Sequence, residues 1–550
     1  MGKMAEGSET LILYNGKIYV ERGNFAEAVF VRGDTIEAVG GNDEIKNMAG
    51  ADTRMIDCGG RTVVPGFNDS HMHLSLRAVS ELECKITDVS SIEDMIGRCR
   101  AFLDGHPERA KKGIHAIGWN QDLFTSGEKR MPDRRDLDRI STDVPVVLER
   151  ICGHIVSANT KAMEVLGVTK DTVIDGGDIY KDADGEPSGL FTENATGFIR
   201  RAVPEFTAEE LAASVKSSID FCLAHGLTSV QSNDATEAPE QNAEIFKMYR
   251  GIYSSGEAKL RLHHQVCFKS ADDLARSFED GEYANRAKLY PGKYLTLGPL
   301  KVFRDGSLGA RTALMKHGYA DDPNAEGCEW SAKEEFEALC RCANEHGLQV
   351  VTHCIGDKGI QDVIDVYEKL EPVPGENPLR NCLIHCQITD SGMLEQIKDL
   401  GILVSAQPVF LDYDMHIVED RAGKELARTS YAFGTLKRSG VHISFGTDCP
   451  VEECAPLPNI YYAVTRCDKN GYPAGGFVAS EKMDIYDAVD CATIESAYMQ
   501  FMEDRKGRIK KGYLADMVVL DKDIFTCDPM EIKDIGVDMT IVGGEVAYER

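Results

Sequence analysis

The sequence contains no long apolar run and comparatively few basic residues, and each shortage excludes a class of function. No stretch of about 18 or more apolar residues occurs, so no transmembrane helix is expected. Lys and Arg total 61 against 90 Asp and Glu, and the resulting net charge of −29 disfavours nucleic acids and membrane surfaces as partners. The first ten residues lack the basic and apolar parts of a signal peptide. We therefore expect a soluble cytoplasmic protein that acts on a small molecule.

Paired cysteine motifs are also missing. The chain has 17 cysteines, an odd number, and no Cys-x-x-Cys sequence. In a chain of 550 residues this pattern favours reduced thiols over a disulfide framework. An apolar content of 43% and a charged content of 27% are ordinary for a globular protein, and the length suggests two to four domains.

Short strands are predicted near both ends of the chain. Residues 11–62 contain apolar or alternating stretches separated by turn signals such as Asn15-Gly16. Similar stretches occur at Met517–Leu520 and Val537–Val546. Neither end has enough apolar strands to bury a core alone. We therefore predict that residues 1–62 and 507–550 form one composite β-sandwich domain.

The middle of the chain, residues 63–506, alternates strand-like and helix-like stretches, which favours an α/β fold with a (β/α)8 TIM barrel. A long region at about 80–205 does not fit this alternation and is predicted to be an insertion after barrel strand 1. Eight barrel strands are predicted: Val63–His73, Leu227–Gln231, Leu260–Val266, Leu297–Phe303, Gln349–His353, Asn381–His385, Ile402–Ala406 and His442–Asp448.

The ends of these strands carry an unusual set of side chains. In such a barrel the active site lies at the carboxyl ends of the strands. Alternate residues of a strand share a face, so His71 and His73 point the same way. Imidazole and carboxylate ligands predict one or two divalent metal ions, with Zn²⁺ preferred and Fe²⁺, Mn²⁺ or Ni²⁺ left open. The full set of candidate ligands is His71, His73, Lys301, His353, His385 and Asp448.

The motifs that contain these residues resemble the metal-dependent amidohydrolase superfamily, in particular its N-substituted formamide deformylase-like branch. The resemblance covers nearly the whole chain, apart from the large insertion, which departs from better-known branches. It is carried by Pro65–His73, Leu300–Ala313, Thr352–Asp357, Ile384–Gln387, Gly446–Val451 and Gly507–Leu520.

The resemblance implies a specific role for each of these residues. A carbamate formed from CO₂ on Lys301 would bridge two metals. His71, His73 and Asp448 would hold one metal. His353 and His385 would hold the other. Asp448, beside an activated water, is expected to take its proton and pass it to the leaving amine.

The implied activity is hydrolysis of a C–N amide or N-substituted formamide bond of a small molecule. A deaminase or a lactonase with the same site stays open because the fold supports many reactions. A metal-binding relative without catalytic activity also stays open, although the retained Asp448 argues against it. A homodimer is considered as an assembly of the protein.

Four further residues are candidates for the site. Trp119 and His154 lie in the insertion and are proposed to touch substrate, with packing roles as the alternative. Glu193 is a carboxylate that could replace the carbamate as the bridge. His263 and His264 lie on one predicted strand, so one of them faces the barrel interior, and His264 is taken as the substrate contact.

Overall fold

The structure is a computed structural model that describes residues 10–151, 154–370, 373 and 375–550. Residues 1–9 of the predicted sandwich therefore lie outside the described part. The described chain divides into two compact units, one formed by the residues up to 76 together with 215–550 and the other by residues 77–214. None of the described helices is long and apolar enough to cross a membrane, and every described cysteine is a free thiol.

The larger unit contains an eight-stranded sheet in which each strand is parallel to its neighbours, in chain order. The predicted parallel barrel is confirmed. Asp448 N donates to His71 O at 2.8 Å, which joins the end of the eighth strand to the first. The barrel strands 1–8 are Phe67–Met72, Leu227–Ser232, Arg261–Val266, Leu295–Phe303, Val350–Cys354, Cys382–His385, Leu403–Ala406 and Ile443–Phe445.

The prediction of one continuous first strand over Val63–His73 is wrong in one respect. Thr62–Pro65 belongs to a sheet formed by the chain ends, and the barrel strand begins only at Phe67. The chain crosses between the two sheets at Gly66. A Cβ there would lie 2.2 Å from Thr228 Oγ1, so only glycine fits at this crossing.

Two sheets are built from the chain ends and share one hydrophobic core. The first has four strands in the order Thr35–Gly40, Ala28–Arg32, Thr10–Tyr14 and Arg54–Asp57. The second has six strands in the order Glu545–Glu549, Val537–Val542, Met517–Leu520, Thr62–Pro65, Lys17–Glu21 and Asn24–Ala26. Their common core includes Leu13, Ile18, Val63, Val519 and Ile541, so residues from both ends pack in one β-sandwich.

Helices follow most barrel strands, as a βα pattern requires. Their apolar faces are buried against the sheet, as in Asp357–Leu370, where Ile360, Val363, Ile364 and Tyr367 are buried. The other helices of the larger unit are Asn42–Lys46, Pro239–Ser254, Ala271–Glu279, Arg286–Leu289, Lys333–Glu345, Ser391–Asp399, Leu411–Asp414, Val418–Ala422, Lys424–Ala427, Phe433–Arg438, Pro456–Thr465, Ile485–Cys491 and Ile494–Met499. Short 3₁₀ turns lie at Pro408–Phe410, Ala479–Glu481 and Pro529–Asp534.

The smaller unit contains a five-stranded sheet and its own core. The strand order is Ile179–Lys181, Pro187–Thr192, Ile155–Ala158, Val146–Arg150 and Ile114–Trp119. Its helices are Ile92–Gly105, Pro107–Ala110, Arg134–Asp138, Thr160–Val165 and Asn194–Arg200, with a 3₁₀ turn at Gln121–Leu123. The boundaries with the larger unit fall inside the helices Leu74–Leu82 and Ala208–Ala224.

Candidate metal centre

Three of the proposed ligands converge at the junction of barrel strands 1 and 8. Asp448 Oδ1 lies 3.0 Å from His73 Nε2 and 3.3 Å from His71 Nε2. One potential ligand atom from each residue lies within 4.8 Å of the others, which is close enough for a single metal ion. Gly446 permits this approach because a Cβ there would lie 2.7 Å from His71 N.

The other proposed ligands lie around this group. The ring of His385 is centred 5.7 Å from that of His71 and 4.4 Å from that of His353. Lys301 Nζ lies 3.4 Å from His71 Nε2. Lys301 and His385 are about 1% exposed. The structure therefore brings together all six residues that the sequence indicates at the strand ends.

Hydrogen bonds fix which nitrogen of each imidazole faces the centre. His71 Nδ1 lies 2.8 Å from Gln265 Oε1, and His385 Nδ1 lies 2.8 Å from Gln407 Oε1. His73 Nδ1 lies 2.6 Å from the carbonyl oxygen of Asn233. Because these oxygens only accept, each Nδ1 donates a proton and each Nε2 keeps a free lone pair. This is the usual arrangement of histidines that bind a metal.

His353 is held in the opposite tautomer. Its Nε2 lies 3.1 Å from the carbonyl oxygen of Gly306, so Nε2 carries the proton and Nδ1 keeps the lone pair. Gly306 follows Asp305, which accepts hydrogen bonds from the backbone N–H groups of Leu314, Ile355 and Gly356. Asp305 thereby joins the loops after barrel strands 4 and 5, and burial raises its pKa to about 7.

The buried environment shifts the pKa values of several of these groups. Burial lowers the pKa of His71 to about 4 and that of His353 to about 3, so both are neutral and able to bind a cation. Burial also lowers the pKa of Lys301 to about 8. Asp448 Oδ1 faces the Nε2 lone pairs of His71 and His73, so three electron-pair donors converge on one point, where a cation would bind.

One buried atom in this centre has no partner. His385 Nε2 makes no hydrogen bond among the described residues, although its ring is buried. An unpaired buried polar atom is costly, and a metal ion is one group that satisfies it. His385 and Asp448 also have positive φ angles of 76° and 57°, which non-glycine residues adopt mainly where function requires it. The donor set, its tautomers and this unpaired atom all fit a divalent metal.

Sequence reasoning missed the residues that support the ligands. Asp69 accepts from the backbone N–H groups of His71 and Thr447, and from Thr447 Oγ1 at 2.6 Å, so it aligns the two strands that carry the ligands. Gln265 lies in barrel strand 3, and Gln407 directly follows barrel strand 7. The alternation of side chains along each strand could have indicated which way the two amides point. An amide in a strand is too common to signal this role by itself.

The remaining candidates occupy different places. His264 packs against Phe246 and Tyr249 of the helix Pro239–Ser254, with ring centroids 5.4 and 4.7 Å apart. Its ring therefore lies on the helix side of barrel strand 3, and Gln265 takes the position that reaches His71. Neither ring nitrogen of His264 has a hydrogen-bond partner among the described residues.

Three candidates belong to the smaller unit. Trp119 is fully buried in the core of that unit, and its Nε1 donates to Leu148 O at 2.9 Å. His154 Nδ1 lies 3.1 Å from Glu193 Oε2, and both side chains are exposed. The burial of Trp119 agrees with a packing role, which the sequence analysis gave as the alternative to a contact with substrate. A contact of these residues with substrate, and Glu193 as a bridge, stay predictions.

Similarity to known proteins agrees with this arrangement. YtcJ of Bacillus subtilis is 32% identical over 98% of this chain and 99% of its own. N-substituted formamide deformylase of Arthrobacter pascens is 27% identical over 96% of each chain. A metal-dependent hydrolase of Pyrococcus furiosus, described as uncharacterized, has a similar structure, with a TM-score of 0.74, 27% identity and coverage of 94% of this chain and 100% of its own. A model described as the amidohydrolase family matches residues 54–548. The chain therefore belongs to the amidohydrolase family.

Proposed function

We propose that the protein is a metal-dependent amidohydrolase that hydrolyses a C–N amide or N-substituted formamide bond of a small molecule. The observation that carries the proposal is the convergence of four imidazoles, a buried lysine and Asp448 at the strand ends. A structural metal site has no need of a buried lysine among its ligands. The similarity to the formamide deformylase supports the same class of bond.

His71, His73 and Asp448 would hold one divalent metal, most simply Zn²⁺, and His353 and His385 a second. A metal bound there supplies Lewis-acid polarisation of a carbonyl and lowers the pKa of water. Lys301 lies beside His71, and burial lowers its pKa to about 8, so part of the lysine is neutral near neutral pH. A neutral amine is the form that reacts with CO₂, which supports a carbamate on Lys301 as the bridge.

Asp448 is proposed to move the proton. Its carboxylate oxygen lies 3.0 Å from His73 Nε2 and 3.3 Å from His71 Nε2, where the candidate ligand atoms converge. The carboxylate takes a proton from the attacking water and returns it to the leaving nitrogen as the C–N bond breaks. Water and the amide thus give a carboxylate and an amine.

Aromatic side chains extend from the centre and support an apolar substrate group. The ring of Phe303 lies 5.5 Å from that of His353, and the ring of Trp330 lies 5.0 Å from that of Phe303. Phe303, Trp330 and Phe268 line a cavity of about 820 Å³ that also includes Lys301. We place the apolar or aromatic part of the substrate against these rings.

The test is a screen of N-formyl and N-acyl amines with the metal-loaded protein. Release of formate or another carboxylate together with a primary amine supports the proposal. Release of ammonia would indicate a deaminase, and opening of cyclic esters a lactonase. No turnover of any substrate class by protein shown to contain metal would favour a binding role and contradict the proposal.

A further inference from the structure

A second cavity lies at the opposite end of the barrel from the candidate metal centre. It has a volume of about 250 Å³. It is lined by Ser229, His263 and Thr296, which lie in the amino-terminal halves of barrel strands 2, 3 and 4. The candidate ligands instead lie at the carboxyl ends. The cavity is therefore separate from the proposed reaction site.

The wall of this cavity contains a buried lysine that has no paired carboxylate among the described residues. Lys506 is 5% exposed, and its Nζ donates to Ser229 Oγ at 2.6 Å. No carboxylate oxygen lies within 4.0 Å of Nζ among the described residues. Burial, followed by the charge of Arg261, lowers the pKa of Lys506 to about 7. An anion bound beside Lys506 would offset the cost of burying its charge.

A second buried donor lines the same cavity. Gln500 is 7% exposed, and its Oε1 accepts from Asn68 Nδ2 at 3.4 Å. Its Nε2 has no partner among the described residues. Buried amide N–H groups are rarely left unpaired in folded proteins. The residues that line the cavity thus include two buried donors: Gln500 Nε2, which has no acceptor among the described residues, and Lys506 Nζ, whose acceptor Ser229 Oγ is uncharged.

The rim of the cavity is also basic. Arg261 is paired with Asp516, and Lys293 with Asp34. Arg286 and Arg505 line the cavity, and in the described part of the chain neither has a carboxylate within 4.0 Å. Lys506, Arg286 and Arg505 are therefore three basic side chains at one cavity without a paired carboxylate among the described residues, in a protein whose net charge is −29. The charges of Lys506 and Arg286 also help to lower the pKa of His263, after burial.

We propose that this cavity binds a small oxyanion, specifically a phosphate group, held by Lys506 Nζ and Gln500 Nε2 inside and by Arg286 and Arg505 at the rim. Guanidinium and ammonium groups around one cavity match the charge and the hydrogen-bond acceptors of a phosphate. The volume exceeds that of the anion alone, so the phosphate group of a small metabolite fits the same description.

The test is calorimetric titration of the full-length, metal-loaded protein with inorganic phosphate at constant ionic strength. Lys506→Met keeps the length of the side chain and removes the charge without leaving a cavity. It is expected to weaken phosphate binding about tenfold or more, the size of one charge-assisted hydrogen bond. Arg505→Gln, at an exposed position, should weaken binding about two- to fivefold. The matched control, Arg428→Gln, is an exposed arginine elsewhere in the larger unit and should have no effect.

His73→Ala, which removes a candidate metal ligand, separates this cavity from the metal centre. Phosphate binding that survives His73→Ala and is lost in Lys506→Met supports the proposal. Binding that is lost in His73→Ala but kept in Lys506→Met would place the phosphate at the metal centre and overturn it. The absence of binding to the unaltered protein at millimolar phosphate would overturn it as well. Thermal unfolding of each variant without phosphate confirms that it is folded.

Discussion

Gln407 holds His385 in a single tautomer, because Gln407 Oε1 lies 2.8 Å from His385 Nδ1. The other ring nitrogen, Nε2, is buried and has no partner among the described residues. Gln265 Oε1 likewise lies 2.8 Å from His71 Nδ1 and holds that ring in a single tautomer. Two amides, one in barrel strand 3 and one directly after barrel strand 7, therefore orient two histidines in the same way. Both contacts can be tested independently of the substrate.

Replacing Gln407 with leucine should weaken metal binding. Gln407→Leu removes the acceptor of the Nδ1 proton, so the ring can rotate and populate the other tautomer. Loss of such a supporting contact typically costs 10–100-fold in metal affinity, so about that loss is expected here. Competition with a metal chelator measures it. Gln361→Leu, a partly buried helix position, is the control, and an equal loss there would contradict the interpretation.

Asp448 is expected to be needed more for turnover than for metal retention. Asp448→Asn keeps one oxygen as a ligand but cannot accept the proton of water. The turnover number should fall by roughly the 10²–10⁴-fold that general acid–base catalysis supplies, while metal content falls only modestly. Rate measurements on the substrate from the screen, together with elemental analysis, check both parts. Asp504→Asn, at an exposed residue, should leave both unchanged, and near-normal turnover in Asp448→Asn would require another base.

A carbamate on Lys301 makes metal loading depend on CO₂. Apoprotein reconstituted with Zn²⁺ and bicarbonate should contain about two metals per chain, as in bridged two-metal hydrolase sites. Reconstitution without CO₂ should give less metal, and Lys301→Arg should give less under either condition because a guanidinium does not form the carbamate. Elemental analysis measures the ratio. Equal loading with and without bicarbonate would remove the carbamate from the proposal.

Trp330 is expected to contribute to substrate binding without taking part in the reaction. Its side chain is 58% exposed and its Nε1 donates to Glu237 Oε1 at 2.9 Å. Trp330→Ala should raise KM about three- to tenfold for substrates with an aromatic group and leave kcat nearly unchanged. Tyr413→Ala, another exposed aromatic position, is the control. A fall in kcat with unchanged KM would contradict the binding role.

The stability of the fold should depend on the ionisation of Asp414. Burial raises its pKa to about 6, although Tyr431 and Gln387 donate hydrogen bonds to it. The folded state therefore binds this proton more tightly than the unfolded state, whose carboxyl has the ordinary pKa of about 4. The free energy of unfolding should fall as pH rises from about 4 to 6, by on the order of 2–3 kcal/mol from this group.

Asp414→Asn tests this dependence because it mimics the protonated carboxyl. Above pH 6 the variant should be more stable than the unaltered protein, and the difference should shrink towards pH 4. Urea unfolding curves across this range measure both. A constant difference at every pH would show that the carboxyl does not titrate in this range.

The positions of the candidate ligands could be read from the sequence because a strand has a period of two and barrel strands end at one face. That rule places His71 and Lys301 correctly without any knowledge of contacts. The same rule does not say which alternate set of side chains faces the barrel interior when two histidines are adjacent, as in barrel strand 3. The sequence therefore left open which residue of that strand reaches the centre. The structure shows that Gln265 does so, and that His264 packs on a helix.

Other features depend on contacts between distant segments. The pairing of Asn68 with Gln500, and of Ser229 with Lys506, joins residues hundreds of positions apart. No local pattern specifies such neighbours. The internal fold of residues 77–214 likewise lacked a recurrent motif, so the sequence predicted an insertion but not its five-stranded sheet.

The short strand Thr62–Pro65 has a consequence for the rate of folding. It pairs on one side with Lys17–Glu21, which precedes it closely in the chain, and on the other with Met517–Leu520, which follows much later. The chain passes directly from this strand through Gly66 into the strand that carries His71. The sheet that adjoins the first ligand strand is therefore completed by a contact of very long sequence separation. Such contacts form slowly because a long loop has to close before the contact can stabilise it.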